Sequence, residues 1–191
     1  MSAIEKQITL STNRMLLKSI TPAIINELFD TKSKEEIMTY FGGDEAVYDH
    51  LKSMVEHGME AYRVSSFYFL LIDKRSQKVL GECGYHTWNM PHRRAELFYS
   101  LRSDADKRQG YMSEAVKTVL NYGFNELGLH RVAALTAPSN EASIALLKHF
   151  GFVREGTHRQ DYVVNGINED SVCFSLLKWE WEKQLADESM S

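Results

Sequence analysis

Three short stretches of this chain carry groups suited to acid–base and anion chemistry. The run RAELFYSL (Arg94 to Leu101) alternates as a strand does, with Ala95, Leu97, Tyr99 and Leu101 on one face and Arg94, Glu96, Phe98 and Ser100 on the other. Glu96 therefore sits in the middle of a central strand, where a carboxylate needs a reason. The continuation LRSDADKRQGYMSEAV (Leu101 to Val116) passes through a charged turn into an amphipathic helix. At Gly110 the missing Cβ lets backbone approach a ligand, and the first N–H groups of the helix have no carbonyl partner, so a phosphate or pyrophosphate is the natural guest. An ordinary strand-to-helix turn, with Ser113 or Glu114 as early helical residues, would leave the same trace. The third stretch, APSNEAS, brings Asn140 and Ser143 to one helix face by their three-residue spacing. Each also reads as a plain helix cap or surface residue.

The elements that must position these groups follow from the periodicity. Residues 8 to 20 read as a first strand. Thr21 caps a helix with Pro22 at its first position, and Ser33 and Asp44 cap two more. The third of these carries Val47, Leu51, Met54 and Val55 on one face and ends near Gly58. SFYFLLID (66 to 73) and KVLGECGYHTW (78 to 88) form a hairpin, followed after NMPHR by RAELFYSL. The helix from Tyr111 to about Leu127 intervenes before the strand HRVAALTA (130 to 137), so these two strands are expected to be parallel neighbours joined by a right-handed crossover. A short helix after Asn140 stops at Gly151. FVREGTHRQDYVV and EDSVCFSLLKWEW read as a closing hairpin about Asn165-Gly166. One domain over residues 1–181 is expected, with a polar tail at 182–191 that frays. Ligands in such folds sit at the carboxyl ends of parallel strands, which places the loops DKRQGYM and APSN at one cleft.

Composition excludes several classes. A net charge of −4 without a basic run argues against nucleic acid. The apolar runs are too short for a membrane span, and MSAIEKQITL lacks the core of a signal peptide, so a cytoplasmic location is expected. Cys83 and Cys173 stand far apart without a CxxC partner, which fits a reducing compartment, and the seven histidines include no HExxH. No metal is expected.

Taken in order, these segments resemble the GNAT superfamily of acetyl-CoA-dependent N-acetyltransferases over nearly the whole chain. RRAELFYSL, RQGYMSEA, LHRVAALTAPSNEASIALLKHFGFVREG and YVVNG resemble its RimJ/RimL branch, which acetylates protein N-terminal amines and related substrates. The resemblance implies an α/β GNAT fold: a mixed, mostly antiparallel, twisted sheet of about seven strands, flanked by helices, with a parallel pair splayed at the acetyl-CoA site. It implies acetyl-CoA as cosubstrate, bound by Ser100, Leu101, Lys107, Arg108, Gln109, Gly110, Tyr111, Met112, Ser113, Asn140 and Ser143, and it allows a homodimer. The family's loop pattern Q/R-x-x-G-x-G/A falls on Lys107, Gly110 and Met112. Lys107 replaces Gln or Arg, and Met112 replaces a small residue. Many members also carry a tyrosine seven residues after the motif asparagine. Here that position is Leu147, which leaves Asn140 and Ser143 as the groups implied near the cofactor sulfur.

The reaction sets its own requirements. An amine attacks a thioester only when neutral, and an α-amine (pKa about 8) is easier to deprotonate than a lysine (about 10.4). Glu96 is the candidate base, directly or through water, and an ion pair with Arg93 or Arg94 is its alternative use. A backbone N–H near Phe98 to Ser100 would meet the charge on the thioester oxygen. The thiolate is a mild leaving group, so Ser143 would position or relay, with Tyr99 and Tyr111 as alternatives better suited to packing. Acceptor choice falls to the first helices and the last hairpin. Residues 21 to 60 hold Glu27, Asp30, Glu35, Glu36, Asp44, Glu45, Asp49, Glu56 and Glu60 against Lys32, Lys34 and Lys52, a surplus that would attract a cationic amine or simply solvate helix faces. The acceptor reads as a protein N-terminal α-amine, with a polyamine or aminoglycoside as alternatives. A non-catalytic acyl-CoA sensor and a nucleotide-binding protein are the competing classes. The second lacks both G-x-x-x-x-G-K-[ST] and G-x-G-x-x-G.

Overall fold

Apolar alternation through the middle of the chain builds three antiparallel strands whose two faces bury different cores. The computed structural model describes residues 7–57 and 65–190. Gly58 and Glu60 lie outside them. The expected first strand is in fact two, β1 (Thr9–Ser11) and β2 (Met15–Ile20), paired antiparallel. Thr12 makes the reversal: its N–H donates to the Met15 carbonyl at 3.0 Å, and its hydroxyl accepts the Met15 N–H at 3.0 Å. The sheet therefore has eight strands, and it keeps the expected mixed, mostly antiparallel plan.

Three capped helices follow. Thr21 accepts from Ile24 at the start of α1 (Pro22–Thr31), and Ser33 and Glu36 form a capping box at α2 (Lys34–Phe41). Asp44 accepts the Ala46 N–H at 3.1 Å, opening α3 (Glu45–His57). Strands β3 (Ser65–Asp73), β4 (Val79–Asn89) and β5 (Arg94–Leu101) then run antiparallel. On β3, Tyr68, Leu70 and Ile72 pack with Ile24, Ile25, Ile37, Phe41 and Leu51 beneath α1 to α3. Phe67, Phe69 and Leu71 point the other way, against α4 (Tyr111–Asn125). There the Tyr85 hydroxyl donates to the Val119 carbonyl at 2.8 Å. Gly123 makes that approach possible, since a Cβ on it would lie 2.2 Å from the Tyr85 oxygen.

The chain continues through β6 (Arg131–Thr136), α5 (Glu141–His149), β7 (Val153–Val164) and β8 (Ile167–Leu177) to α6 (Lys178–Ser189). The strand order is β1-β2-β3-β4-β5-β6-β8-β7. Asn165 and Gly166, at φ 51° and 80°, make the expected tight turn. Beyond it the reading needs correction: KWEW is not strand, and the polar tail is helical to Ser189. Glu180 accepts the Leu177 N–H at 2.8 Å and so starts the helix. Trp181, 1% exposed beside Phe124 and Phe150, anchors it; truncating such a side chain costs roughly 3–5 kcal/mol. Among the described residues, no helix is long and apolar enough to cross a membrane.

One feature of the sheet positions everything that follows. The parallel ladder between β5 and β6 runs through Arg94↔Arg131, Ala95↔Val132 and Glu96↔Ala133, and stops. Both strands continue, each still paired on its outer side, β5 with β4 to Leu101 and β6 with β8 to Thr136. The sheet is thus split between them from Leu97 and Ala134 onward.

Candidate active site

The split opens where the cofactor loops are. Alternate backbone groups of Leu97 to Leu101 point away from β4, so they face the gap rather than a partner strand. This is the stretch where a donor to a thioester oxygen is expected. After Leu101 a short 3₁₀ turn (Asp104–Asp106) leads into the loop, and Gly110 at φ 79° starts α4 without any side-chain cap. The first helical bond is Glu114 N–H to Gly110 C=O at 3.1 Å, so the N–H groups of Tyr111, Met112 and Ser113 lie ahead of the helical ladder and point out of its end. Lys107 pairs with Asp104 at 2.5 Å, Arg108 takes φ 60°, and the Gln109 side chain donates back to the Ala105 carbonyl. The Lys107 and Gln109 side chains are turned to the loop's own groups, which leaves the three helix-start amides as its outward-facing donors. Met112 packs into the core, as does Leu147 at 1% exposure.

Arg14 holds this loop from the β1–β2 turn, a role that sequence reading missed. Its Nε and N–H both donate to Glu114 at 2.8 Å, its Nη1 donates to the Gln109 carbonyl at 2.9 Å, and its guanidinium lies 4.3 Å from the centre of the Tyr111 ring. The Tyr111 ring is packed between this guanidinium and the core. Burial alone would raise the Glu114 carboxyl, but hydrogen bonds from Thr12 and Arg14 outweigh it and hold it below its ordinary range. No sequence signal announces a contact across about a hundred residues.

Across the split, Asn140 caps α5 by accepting the Ser143 N–H at 3.1 Å, which leaves its amide N–H₂ available. Ser143 lies beside Tyr99 of β5. Burial raises the Tyr99 phenol and the Ser143 hydrogen bond partly offsets it, so the phenol stays protonated. Tyr99 thus joins Asn140 and Ser143 on the α4–α5 side of the sheet.

Glu96 faces the other side. It is partly buried at the last rung of the parallel ladder, in a cavity of about 340 Å³ lined by Thr87, Asn89, Arg94, Arg131, Ala133, Leu135, Glu155, His158 and Cys173. Neither expected arginine partner binds it: Arg93 donates to the Gly128 carbonyl at 2.9 Å, and among the described residues the basic group nearest in ion-pair range is His86, 3.6 Å away. The Thr87 hydroxyl reaches its Oε2 at 3.4 Å. Opposite, Arg131 donates to Glu155 at 2.7 Å and Ser175 does so at 2.8 Å. The Arg131 guanidinium, then the Ser175 hydroxyl, bring the Glu155 carboxyl down to about 2. Burial and neighbouring Glu155 push the Cys173 thiol up, and burial pushes Cys83 up further, so neither sulfur supplies a thiolate for a covalent route. Among the described residues, no group of three or more His, Cys, Asp or Glu is placed to hold a metal.

Part of the acidic charge of the first helices is met locally: Lys32–Glu36, Lys34–Glu45 and Lys52–Glu56 are exposed ion pairs. Exposed pairs of this kind are solvated and contribute little to stability.

Comparison with known proteins agrees with this fold. The family pattern described as Acetyltransferase (GNAT) domain matches residues 14–153. An N-acetyltransferase of Bacillus subtilis (strain 168), YoaA, is 33% identical over 172 residues, covering 88% of this chain and 96% of its own. A ribosomal-protein-S5-alanine acetyltransferase from Vibrio fischeri superposes with a TM-score of 0.66 at 24% identity, covering 91% of this chain and 98% of its own. A spermidine/spermine N-acetyltransferase from Vibrio cholerae superposes with a TM-score of 0.68 at 17% identity, covering 90% and 98%. The last two likenesses show the fold alone.

Proposed function

Because this chain belongs to the GNAT acetyltransferase family, and so is an acetyl-CoA-dependent acetyltransferase, we propose that it acetylates a protein N-terminal α-amine by direct attack. The observation that carries this is the end of the parallel ladder at Glu96↔Ala133. Acetyl-CoA enters from the α4–α5 side, with its pyrophosphate on the amides of Tyr111 to Ser113, and its thioester lies in the split. The acceptor enters from the opposite face, through the cavity that holds Glu96.

In the reaction the acceptor ammonium gives a proton to Glu96, directly or through one water. The neutral nitrogen then attacks the thioester carbon. A β5 amide facing the split stabilises the oxyanion, the attacking nitrogen loses its second proton to water, and the C–S bond breaks as the intermediate collapses. The thiolate sits beside Tyr99 and Ser143. The phenol, with Ser143 beside it, is the better acid of the two: it gives its proton to the thiolate and regains one from water. Leu147, on the core side of α5, has no part in this step.

The charge of the cavity favours an α-amine over a polyamine. Glu96 and Glu155 are balanced by Arg94 and Arg131, with Ala133 and Leu135 as an apolar floor. Such lining suits one ammonium followed by a peptide, whereas a polycation needs uncompensated carboxylates. The test is CoA release from acetyl-CoA with peptides bearing Ala or Ser N-termini, N-blocked lysine peptides, spermidine and an aminoglycoside. Turnover on the free α-amine peptides is expected. Turnover on spermidine alone would overturn the acceptor and keep the chemistry, and CoA binding without any turnover would favour a sensor.

A further inference from the structure

The pairing of β4 with β5 slips between His86 and Asn89, and inside that slip Thr87 takes φ 48°. A β-branched residue in the left-handed region is strained, because its Cβ crowds the neighbouring carbonyl; a glycine there would not be. The strain aims a side chain. The Thr87 hydroxyl lies 2.8 Å from His86 Nδ1 and 3.4 Å from Glu96 Oε2, while His86 Nε2 lies 3.6 Å from Glu96 Oε1. One bulge therefore addresses both oxygens of the Glu96 carboxylate. The His86 ring is steadied by Phe98, 5.5 Å away between centroids, and its side chain is 45% exposed, so it touches both Glu96 and solvent.

We propose that Thr87 and His86 are positioning residues for Glu96, Thr87 fixing the carboxylate and His86 taking its proton onward to water. This rests on Glu96 being the base. With Nδ1–H of His86 donating to the Thr87 oxygen and the Thr87 hydroxyl donating to Glu96 Oε2, Nε2 is left as an acceptor facing Oε1. The acceptor ammonium loses its proton to Glu96. The O–H bond so formed breaks as His86 Nε2 takes that proton, and the imidazolium releases one to solvent, which restores the carboxylate for the next turnover. Local strain at Thr87 is retained because relaxing it would turn the hydroxyl away. The other charged or titratable groups facing Glu96 are Arg94 on β5, Arg131 on β6, Glu155 and His158 on β7, and Cys173 on β8.

The test uses Thr87→Gly, Thr87→Ser, His86→Gln and Glu96→Gln, with Tm, kcat, the KM for acetyl-CoA and the pH profile measured on each. Thr87→Gly is expected to keep or raise Tm, since glycine accepts this φ. It should lower kcat about ten- to a hundredfold with the acetyl-CoA KM unchanged. Thr87→Ser, which keeps the hydroxyl, restores most of that loss. His86→Gln lowers the plateau of kcat and moves the acid limb of its pH profile to lower pH. Wild-type kcat in Thr87→Gly, or a loss of kcat only in step with Tm, overturns the proposal, as does an unchanged pH profile in His86→Gln. If Glu96→Gln is inactive beside a fully active Thr87→Gly, the positioning proposal alone fails. If Glu96→Gln is itself fully active, the base assignment fails and takes the proposal with it.

Discussion

Strand β5 serves both halves of the site, and its two ends are built from different materials. At the end proposed for the cofactor, toward Ser113, the outward-facing groups are backbone amides, set by Gly110 at φ 79° and by the start of α4. At the acceptor end, around Glu96, they are side chains: a carboxylate, a hydroxyl, an imidazole and an arginine–glutamate pair. The difference explains which departures from a family pattern are tolerated. Lys107 and Met112 change side chains where the proposed donors are backbone, and the turn still forms. A change at Glu96 would remove the group itself.

The contrast can be broken first at Glu96. Glu96→Gln is expected to lower kcat by about a hundredfold or more while the acetyl-CoA Kd, measured by calorimetry, stays put. Gly110→Val should show the reverse pattern. A branched side chain at φ 79° forces the loop to move, and acetyl-CoA binding should weaken by roughly tenfold with little effect on kcat at saturation. Arg14→Ala sharpens the comparison by loosening the same loop from outside. It removes the side-chain bonds to Gln109 and Glu114 and leaves the backbone N–H bond to Glu114, and a threefold-scale rise in the acetyl-CoA KM, about 0.7 kcal/mol, is expected. The smallest effect concerns stability. Glu155 is held at about 2 when folded, against 4.5 ordinarily, so its contribution is full above about 4.5 and is lost as pH falls toward 2. With the side chain 39% exposed, the contribution is under about 1 kcal/mol. Wild-type Tm should therefore fall more steeply than that of Glu155→Gln between pH 5 and pH 2.

Local chemistry made most of the framework legible in the sequence. Thr21, Ser33, Asp44 and Asn140 cap the helices they announce, because capping uses groups within three residues. Alternation along RAELFYSL placed Glu96 and Tyr99 on opposite faces, as the two sides of the split require. What stayed hidden depends on contacts remote in the chain or on backbone choices that residue type disfavours. Arg14 meets Gln109 and Tyr111 only after folding. Thr87 reads as an ordinary β-former and is left-handed. KWEW reads as the end of the last strand and instead opens α6, where Trp181 is buried while Trp179 is 57% exposed. One turn of Thr12 toward Met15 likewise divided the first strand.

The central claim is that cofactor and acceptor meet through the split from opposite faces of the sheet. Its most direct test is a conjugate in which the CoA sulfur is joined through a methylene-carbonyl link to the α-nitrogen of an alanine-initiated peptide. Binding is measured beside CoA and the free peptide. The account predicts a Kd at least about a hundredfold below that of CoA, because two sites are occupied by one molecule. A conjugate that binds no more tightly than CoA would contradict it.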